Sequence, residues 1–148
     1  MKVRDLMTRV VVTVSPEDGV DRAAELLAEH DVHTLPVVDA AGHILGMVTE
    51  ADVVRDAVPR DPWARDLHPS VESPHPARVG DVMSFHPVAL LPGVDLPIAA
   101  DLLVNSSLTC LPVVEDGVLV GILTRHDLVA ALAHTETHHR QFRSEETP

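Results

Sequence analysis

The spacing of apolar positions along the chain changes in a fixed order, and that order occurs twice. Val10–Val14 is a short β-branched run, which predicts a strand. Ser15-Pro16-Glu17-Asp18 offers a capping residue, a proline and two acids, the signs of a helix start. Val20, Ala23, Ala24, Leu26 and Leu27 then recur at helical spacing, and His30-Asp31 ends the helix. Leu35–Val38 and Ile44–Val48 predict the two strands of a hairpin about the turn Asp39-Ala40-Ala41-Gly42. Thr49 opens a second helix through about Ala57. The later half predicts the same series: strand 87–91, helix 94–105, strand 110–114, a turn at Asp116-Gly117, strand 118–123 and helix 125–134.

The two series are copies of one unit. Residues 3–39 align with 79–115 and, after a one-residue deletion, 42–54 align with 117–129. Val3-Arg4-Asp5-Leu6-Met7 matches Val79-Gly80-Asp81-Val82-Met83, and Leu35-Pro36-Val37-Val38 matches Leu111-Pro112-Val113-Val114. Gly46-Met47-Val48-Thr49 matches Gly121-Ile122-Leu123-Thr124, and Asp52 matches Asp127. The organisation expected is repeat 1 over 1–58, a connector over 59–78, repeat 2 over 79–134 and a polar, frayed tail over 135–148. Five prolines between Pro59 and Pro76 predict an extended, stiff connector. The fold class is α/β (α+β), built from two β-α-β-β-α units. Strands this apolar are covered on both faces, so the units are expected to pack about a pseudo-two-fold axis.

Composition narrows the function. The chain has 148 residues, 45% of them apolar, enough for a sizeable core. Its formal net charge is −12 with no basic run, which argues against binding nucleic acid or docking on an anionic membrane. The start of the chain lacks the apolar stretch of a signal peptide, and no apolar run reaches the roughly 18 residues of a membrane span. A lone cysteine, Cys110, reads as a small core hydrophobe, and the protein reads as cytoplasmic.

Three features in order, twice in one chain, closely resemble a tandem pair of cystathionine β-synthase (CBS) domains, the Bateman module. They are Asp5-Leu6-Met7-Thr8 or Asp81-Val82-Met83-Ser84, the Leu-Pro-Val-Val strand followed by Asp39 or Glu115, and Gly-x-x-Thr-x-x-Asp at Gly46…Thr49…Asp52 and Gly121…Thr124…Asp127. The resemblance implies a regulatory module with two clefts between the repeats. Such clefts commonly take AMP, ADP, ATP, S-adenosylmethionine or related adenosyl ligands, and such modules often pair as homodimers.

Thr49 and Asp52, like Thr124 and Asp127, have the spacing of a capping box, in which threonine caps a backbone N–H and the acid reaches back. The same helix start offers N–H groups to phosphate, and the acid offers acceptors to a ribose diol. The resemblance assigns those contacts to these residues. It also implies an adenine contact from the backbone before proline at Leu35 and Leu111, a hydroxyl contact from Thr13, and a group near phosphate at His33, which Thr109 replaces in repeat 2. Arg125 and His126 follow Thr124 and are candidates for phosphate in the cleft of repeat 1. Glu50 holds the matching place against the cleft of repeat 2. An anionic nucleotide is therefore expected at repeat 1 and a neutral or cationic adenosyl group, or nothing, at repeat 2.

Ten histidines do not make a metal site without cysteine partners, and no metal is expected. No catalytic loop signature occurs, so the chain is not expected to be an enzyme. With the repeats filling residues 3 to 134, output is expected through a partner or self-association. The alternative is a ligand-free dimerisation module with degenerate clefts.

Overall fold

The computed structural model describes residues 1–57, 77–85 and 87–143. Most of the expected connector lies outside the described residues. The elements are α1 (Val3–Leu6), α2 (Val20–Glu29), β1 (Thr34–Val38), β2 (Ile44–Thr49), α3 (Glu50–Ala57), α4 (Val79–Val82), β3 (Ser84–Phe85), α5 (Leu96–Asn105), β4 (Cys110–Glu115), β5 (Val118–Thr124) and α6 (Arg125–Arg143). Each repeat thus contributes a helix, a two-stranded hairpin and a second helix, preceded by one short helical turn.

The chain divides into two compact units that do not coincide with the sequence repeats. One, the repeat-1 unit, holds Val12–Pro87 with Gly117–Leu119; the other, the repeat-2 unit, holds Met1–Val11, Val88–Asp116 and Val120–Pro148. The opening segments have changed places. Val3 and Met7 are buried with Leu90, Ala99, Leu103, Leu111, Val113 and Leu123 of repeat 2. Val79 is buried with Val14, Ala23, Leu26, Leu27, Leu35, Val37 and Val48 of repeat 1.

Backbone bonds fix this exchange identically in both units. In the repeat-1 unit, Val20 N donates to Ala77 O, Val79 N to Asp18 O and Gly80 N to Pro16 O, at 3.1, 2.8 and 2.9 Å. In the repeat-2 unit, Leu96 N donates to Met1 O, Val3 N to Val94 O and Arg4 N to Pro92 O, at 3.1, 2.9 and 3.0 Å. Asp5 and Asp81 close the two short helices by accepting the N–H of Lys2 at 2.7 Å and of Arg78 at 3.0 Å.

The exchange moves two expected boundaries. Ser15–Asp18 is a turn, not the first turn of a helix: Asp18 N donates to Ser15 O at 3.1 Å and Ser15 N to the Asp18 carboxylate at 2.9 Å. Gly19 stays extended, and α2 begins at Val20, whose N–H is answered by Ala77. In repeat 2 the helix likewise begins at Leu96 rather than residue 94. The runs Val10–Val14 and 87–91 are not strands but single parallel bridges, Val14 to Val37 and Leu90 to Val113. Pro36 and Pro112 hold the facing edge and have no N–H, so neither ladder can lengthen there.

The repeat-1 sheet has the order β1-β2-β3, antiparallel throughout, with Thr34 opposite Thr49 and Gly46 opposite Phe85. A Cβ on Gly46 would stand 2.3 Å from the Ser84 carbonyl oxygen. A Cβ on Gly121 would stand 2.7 Å from Met7 Sδ and 2.9 Å from the Thr8 carbonyl, where Thr8 and Ile122 exchange backbone bonds. The signature glycines therefore admit the exchanged strand. At the hairpin tip of repeat 2, Asp116 and Gly117 both have positive φ, as the two-residue turn requires.

Helix α6 continues through Arg143, past His134, where a frayed tail is expected from the sequence. No proline or glycine interrupts residues 125–143, and alanine, leucine, glutamate, glutamine and arginine favour continuation.

Candidate ligand site

Each hairpin delivers its last residue to the N-terminus of a helix, where Thr-x-x-Asp closes the orphan N–H groups. In the repeat-1 unit, Thr49 N donates to Asp52 Oδ2 at 2.9 Å and Asp52 N to Thr49 Oγ1 at 3.2 Å. Asp52 is buried, and its second oxygen, Oδ1, accepts from Arg55 Nη1 at 3.2 Å. In the repeat-2 unit, Thr124 N and Thr124 Oγ1 donate to Asp127 Oδ2 at 2.9 and 3.2 Å, and Asp127 N donates to Thr124 Oγ1 at 3.4 Å. Here Oδ1 accepts from Thr8 Oγ1 at 3.0 Å, a residue of the exchanged opening segment. Both carboxylates are thus oriented by backbone through one oxygen and present the other, with one side-chain donor on it. A carboxylate oxygen can accept a second hydrogen bond.

His33 lies beside the first of these caps. Its carbonyl accepts from Glu50 N at 3.0 Å, and its Nδ1 contacts Glu50 Oε1. That hydrogen bond, then the Glu50 charge, holds the His33 pKa above the ordinary histidine value. Glu50 therefore answers the charge of His33 within one unit. Continuing the β1–β2 register by one residue beyond Thr34 and Thr49 is what brings them together.

The remaining candidates fall in different surroundings. The side chains of Leu35 and Leu111 are buried. Val14 N bonds to Pro36 O and Val38 N to Val14 O, so alternation turns the peptide groups of Leu35 towards β2. By the same alternation the edge facing Val14 carries those of Thr34, Pro36 and Val38. Thr13 lines a cavity of about 480 Å³ with Ser15, Asp18, Val38, Asp39 and Leu45, at the Val38 end of β1 and away from Thr49. Thr109 is exposed just before β4. Arg125 Nε donates to Leu103 O at 2.8 Å, which ties it to the C-terminal half of α5, and His126 is exposed. Cys110 takes the place of Thr34 in repeat 2. Burial, then the nearby Asp127 charge, pushes its thiol up to about 12, so it is inert as a nucleophile at neutral pH.

Two donors at the caps, Thr8 and Arg55, were not among the sequence candidates. Thr8 carried a signal, a hydroxyl residue closing the opening motif in both copies as Thr8 and Ser84, but linear order assigns it to repeat 1. Among the described residues no group of histidine, cysteine and acidic side chains is arranged to hold a metal. Nor, among them, is any helix long and apolar enough to cross a membrane.

Two duplicated α+β units, each with a hairpin feeding a Thr-x-x-Asp-capped helix, define a tandem-domain class. The chain belongs to the CBS domain family, whose model matches residues 3–58 and 79–134. It is 35% identical over 126 residues to the CBS domain-containing protein YhcV of Bacillus subtilis, covering 85% of this chain and 81% of that protein. It is 34% identical to the chloroplastic CBS domain-containing protein CBSX2 of Arabidopsis thaliana, spanning 87% of this chain and 62% of that one. The crystal structure of CBSX2 in complex with AMP aligns with a TM-score of 0.78 at 33% identity, covering 91% of this chain and 98% of that one.

Proposed function

We propose that the chain is a regulatory module that binds an adenosyl ligand at its Thr-x-x-Asp helix starts and passes the signal to a partner or through self-association. The observation that carries this reading is the duplicated cap. In both units a carboxylate is fixed by the backbone through one oxygen and offers the other to a diol, next to N–H groups suited to phosphate. The likeness to a CBS pair crystallised with AMP supports an adenine nucleotide as the ligand class. AMP, ADP, ATP and S-adenosylmethionine are the candidates.

Thermal unfolding with each candidate, and with guanosine nucleotides as controls, tests the reading. A ligand at 100 times its Kd adds about 2.7 kcal/mol, a rise of roughly 5–10 °C for a chain of this size. Asp52→Asn and Asp127→Asn keep an acceptor for the threonine N–H but weaken the diol contact, and the cap in use is the one whose change removes the shift. If no candidate raises the Tm of nucleotide-free protein, the adenosyl reading fails, and the self-satisfied caps are those of a ligand-free interaction module.

A further inference from the structure

The internal repeat separates side chains that the fold requires from those it does not. The turn before the first long helix closes the same way in both copies: Asp18 N donates to Ser15 O at 3.1 Å, and Val94 N to Leu91 O at 3.2 Å. Each turn then receives the same two bonds from an exchanged segment, at Pro16 and Asp18 in one copy and at Pro92 and Val94 in the other. The side chains differ. Repeat 1 carries Thr13, Ser15, Glu17 and Asp18 where repeat 2 carries Ala89, Leu91, Gly93 and Val94. The same backbone forms without a hydroxyl or a carboxylate, so the four polar side chains of repeat 1 answer no demand of the turn. All four line the cavity of about 480 Å³ in the repeat-1 unit, a volume within the range of small-molecule sites. Val14, Pro16, Val38 and Leu45 give that cavity an apolar wall, and Asp39 adds a third carboxylate. Val14 is buried and Glu17 is exposed, so the cavity runs from the core to solvent. Glu17 and Asp39 are held below the ordinary carboxylate value, first by the Ser15 hydroxyl and by the His43 N–H respectively. None of the lining residues is basic. From outside the lining, His43 pairs with Asp39 at 3.2 Å and the charge of Arg78 reaches Glu17.

We propose that this cavity binds a small aliphatic amine in its ammonium form, with the hydrocarbon body against the apolar wall and the charge among Glu17, Asp18 and Asp39. The lining selects that class. Three carboxylates with no base between them repel an anion, a nucleotide phosphate included. A bare inorganic cation would leave the apolar wall facing water, whereas an alkylammonium ion covers it and meets the carboxylates with charge-assisted hydrogen bonds. With Gly93 and Val94 in the places of Glu17 and Asp18, the turn of repeat 2 lacks these acids, and one ion per chain is expected. The cavity lies at the Val38 end of β1, away from the Thr49–Asp52 cap, and the inference does not depend on whether an adenosyl ligand binds.

The test is titration calorimetry of the full chain with cadaverine at fixed ionic strength, with pentanediol as its neutral counterpart and magnesium chloride as competitor. Cadaverine is expected to bind once per chain with a Kd below about 1 mM, and pentanediol at least about 10-fold more weakly. Magnesium at equal ionic strength should not displace it. Glu17→Gln with Asp18→Asn should weaken cadaverine by about 10-fold or more, since each change removes a charged acceptor. Glu25→Gln with Glu29→Gln removes two acids of α2 outside the cavity and should leave the affinity unchanged. Circular dichroism of each variant separates lost binding from lost folding. If the cavity variant unfolds, Glu17→Gly, the residue that repeat 2 carries there, replaces it with a loss in the same direction. The proposal is overturned by cadaverine that fails to bind at about 10 mM, by a diol that binds as well, by displacement with magnesium, or by an affinity that survives the cavity variants. An equal loss from the α2 variant would also overturn it, as general attraction to an acidic chain.

Discussion

Repeat 1 and repeat 2 close the same helix start with different neighbours. In repeat 1 the cap is served from its own helix, by Arg55 on Asp52, and flanked by the His33–Glu50 pair. In repeat 2 the corresponding carboxylate is held by Thr8 from the far end of the chain, and the residue matching Glu50, Arg125, is drawn onto the Leu103 carbonyl. The backbone frame is common to both, because it rests on the exchanged segment and the signature glycine. The polar surroundings are not, because single side chains set them. Duplication has kept the scaffold and allowed the two helix starts to become chemically distinct.

The largest effect that can probe this comparison lies at the glycines. Gly46→Ala would place a methyl group 2.3 Å from a backbone oxygen within a paired strand, which cannot move without breaking the ladder. A cost of about 3 kcal/mol is expected in urea unfolding. Gly121→Ala meets its closest neighbour in the Met7 side chain, which can shift, with the Thr8 carbonyl at 2.9 Å. About 1–2 kcal/mol is expected there. Equal costs would mean that the two exchanged strands are held equally tightly.

A smaller effect separates the two caps. Thr8→Val removes the donor to Asp127 and should cost about 1 kcal/mol. Ser84→Ala at the matching position should be close to neutral, since it is Arg55 that serves the second oxygen of Asp52. A loss at Ser84 as large as that at Thr8 would erase the distinction drawn between the caps. Cys110 offers a chemical check beside the same carboxylate. With its thiol at about 12, native protein should resist alkylation at pH 8 and become labelled only on unfolding.

Much of this architecture is legible in the sequence, because the repeat shows every local signal twice. The hairpins, the helix after each and the capping role of Thr49–Asp52 and Thr124–Asp127 follow from spacing alone. The exchange of opening segments is not legible. Val3 and Val79 are apolar residues at the start of a short helix, and nothing local tells which core receives them. The misplaced helix starts follow from that, since Ser15–Asp18 has good capping chemistry while its partners, Ala77–Gly80, come from the other repeat. The runs at Val10 and Pro87 look like strands because a short apolar run does not reveal that the facing edge carries a proline. The pairing of His33 with Glu50 is within reach of the sequence, because the hairpin register fixes it.

The smallest effect is the pH dependence of the His33–Glu50 pair, and its sign is fixed by the direction of the shift. The folded-state pKa of His33 is raised above the ordinary value of 6.5 by its hydrogen bond to Glu50. Below that ordinary value the imidazolium exists in both folded and unfolded chains, but only the folded chain sets it against Glu50, so the stabilisation is fully present. As pH rises through the folded-state pKa the charge is lost and the stabilisation goes with it. Both side chains are exposed, so salt should weaken the effect. Glu50→Gln should return the His33 titration, followed by NMR, towards the ordinary histidine range, and should lower stability at pH 5.5 more than at pH 8. Repeat 2 has Thr109 and Arg125 at these positions and no titrating pair, so a ligand whose affinity changes over this pH window for the wild type but not for Glu50→Gln occupies the helix start of repeat 1.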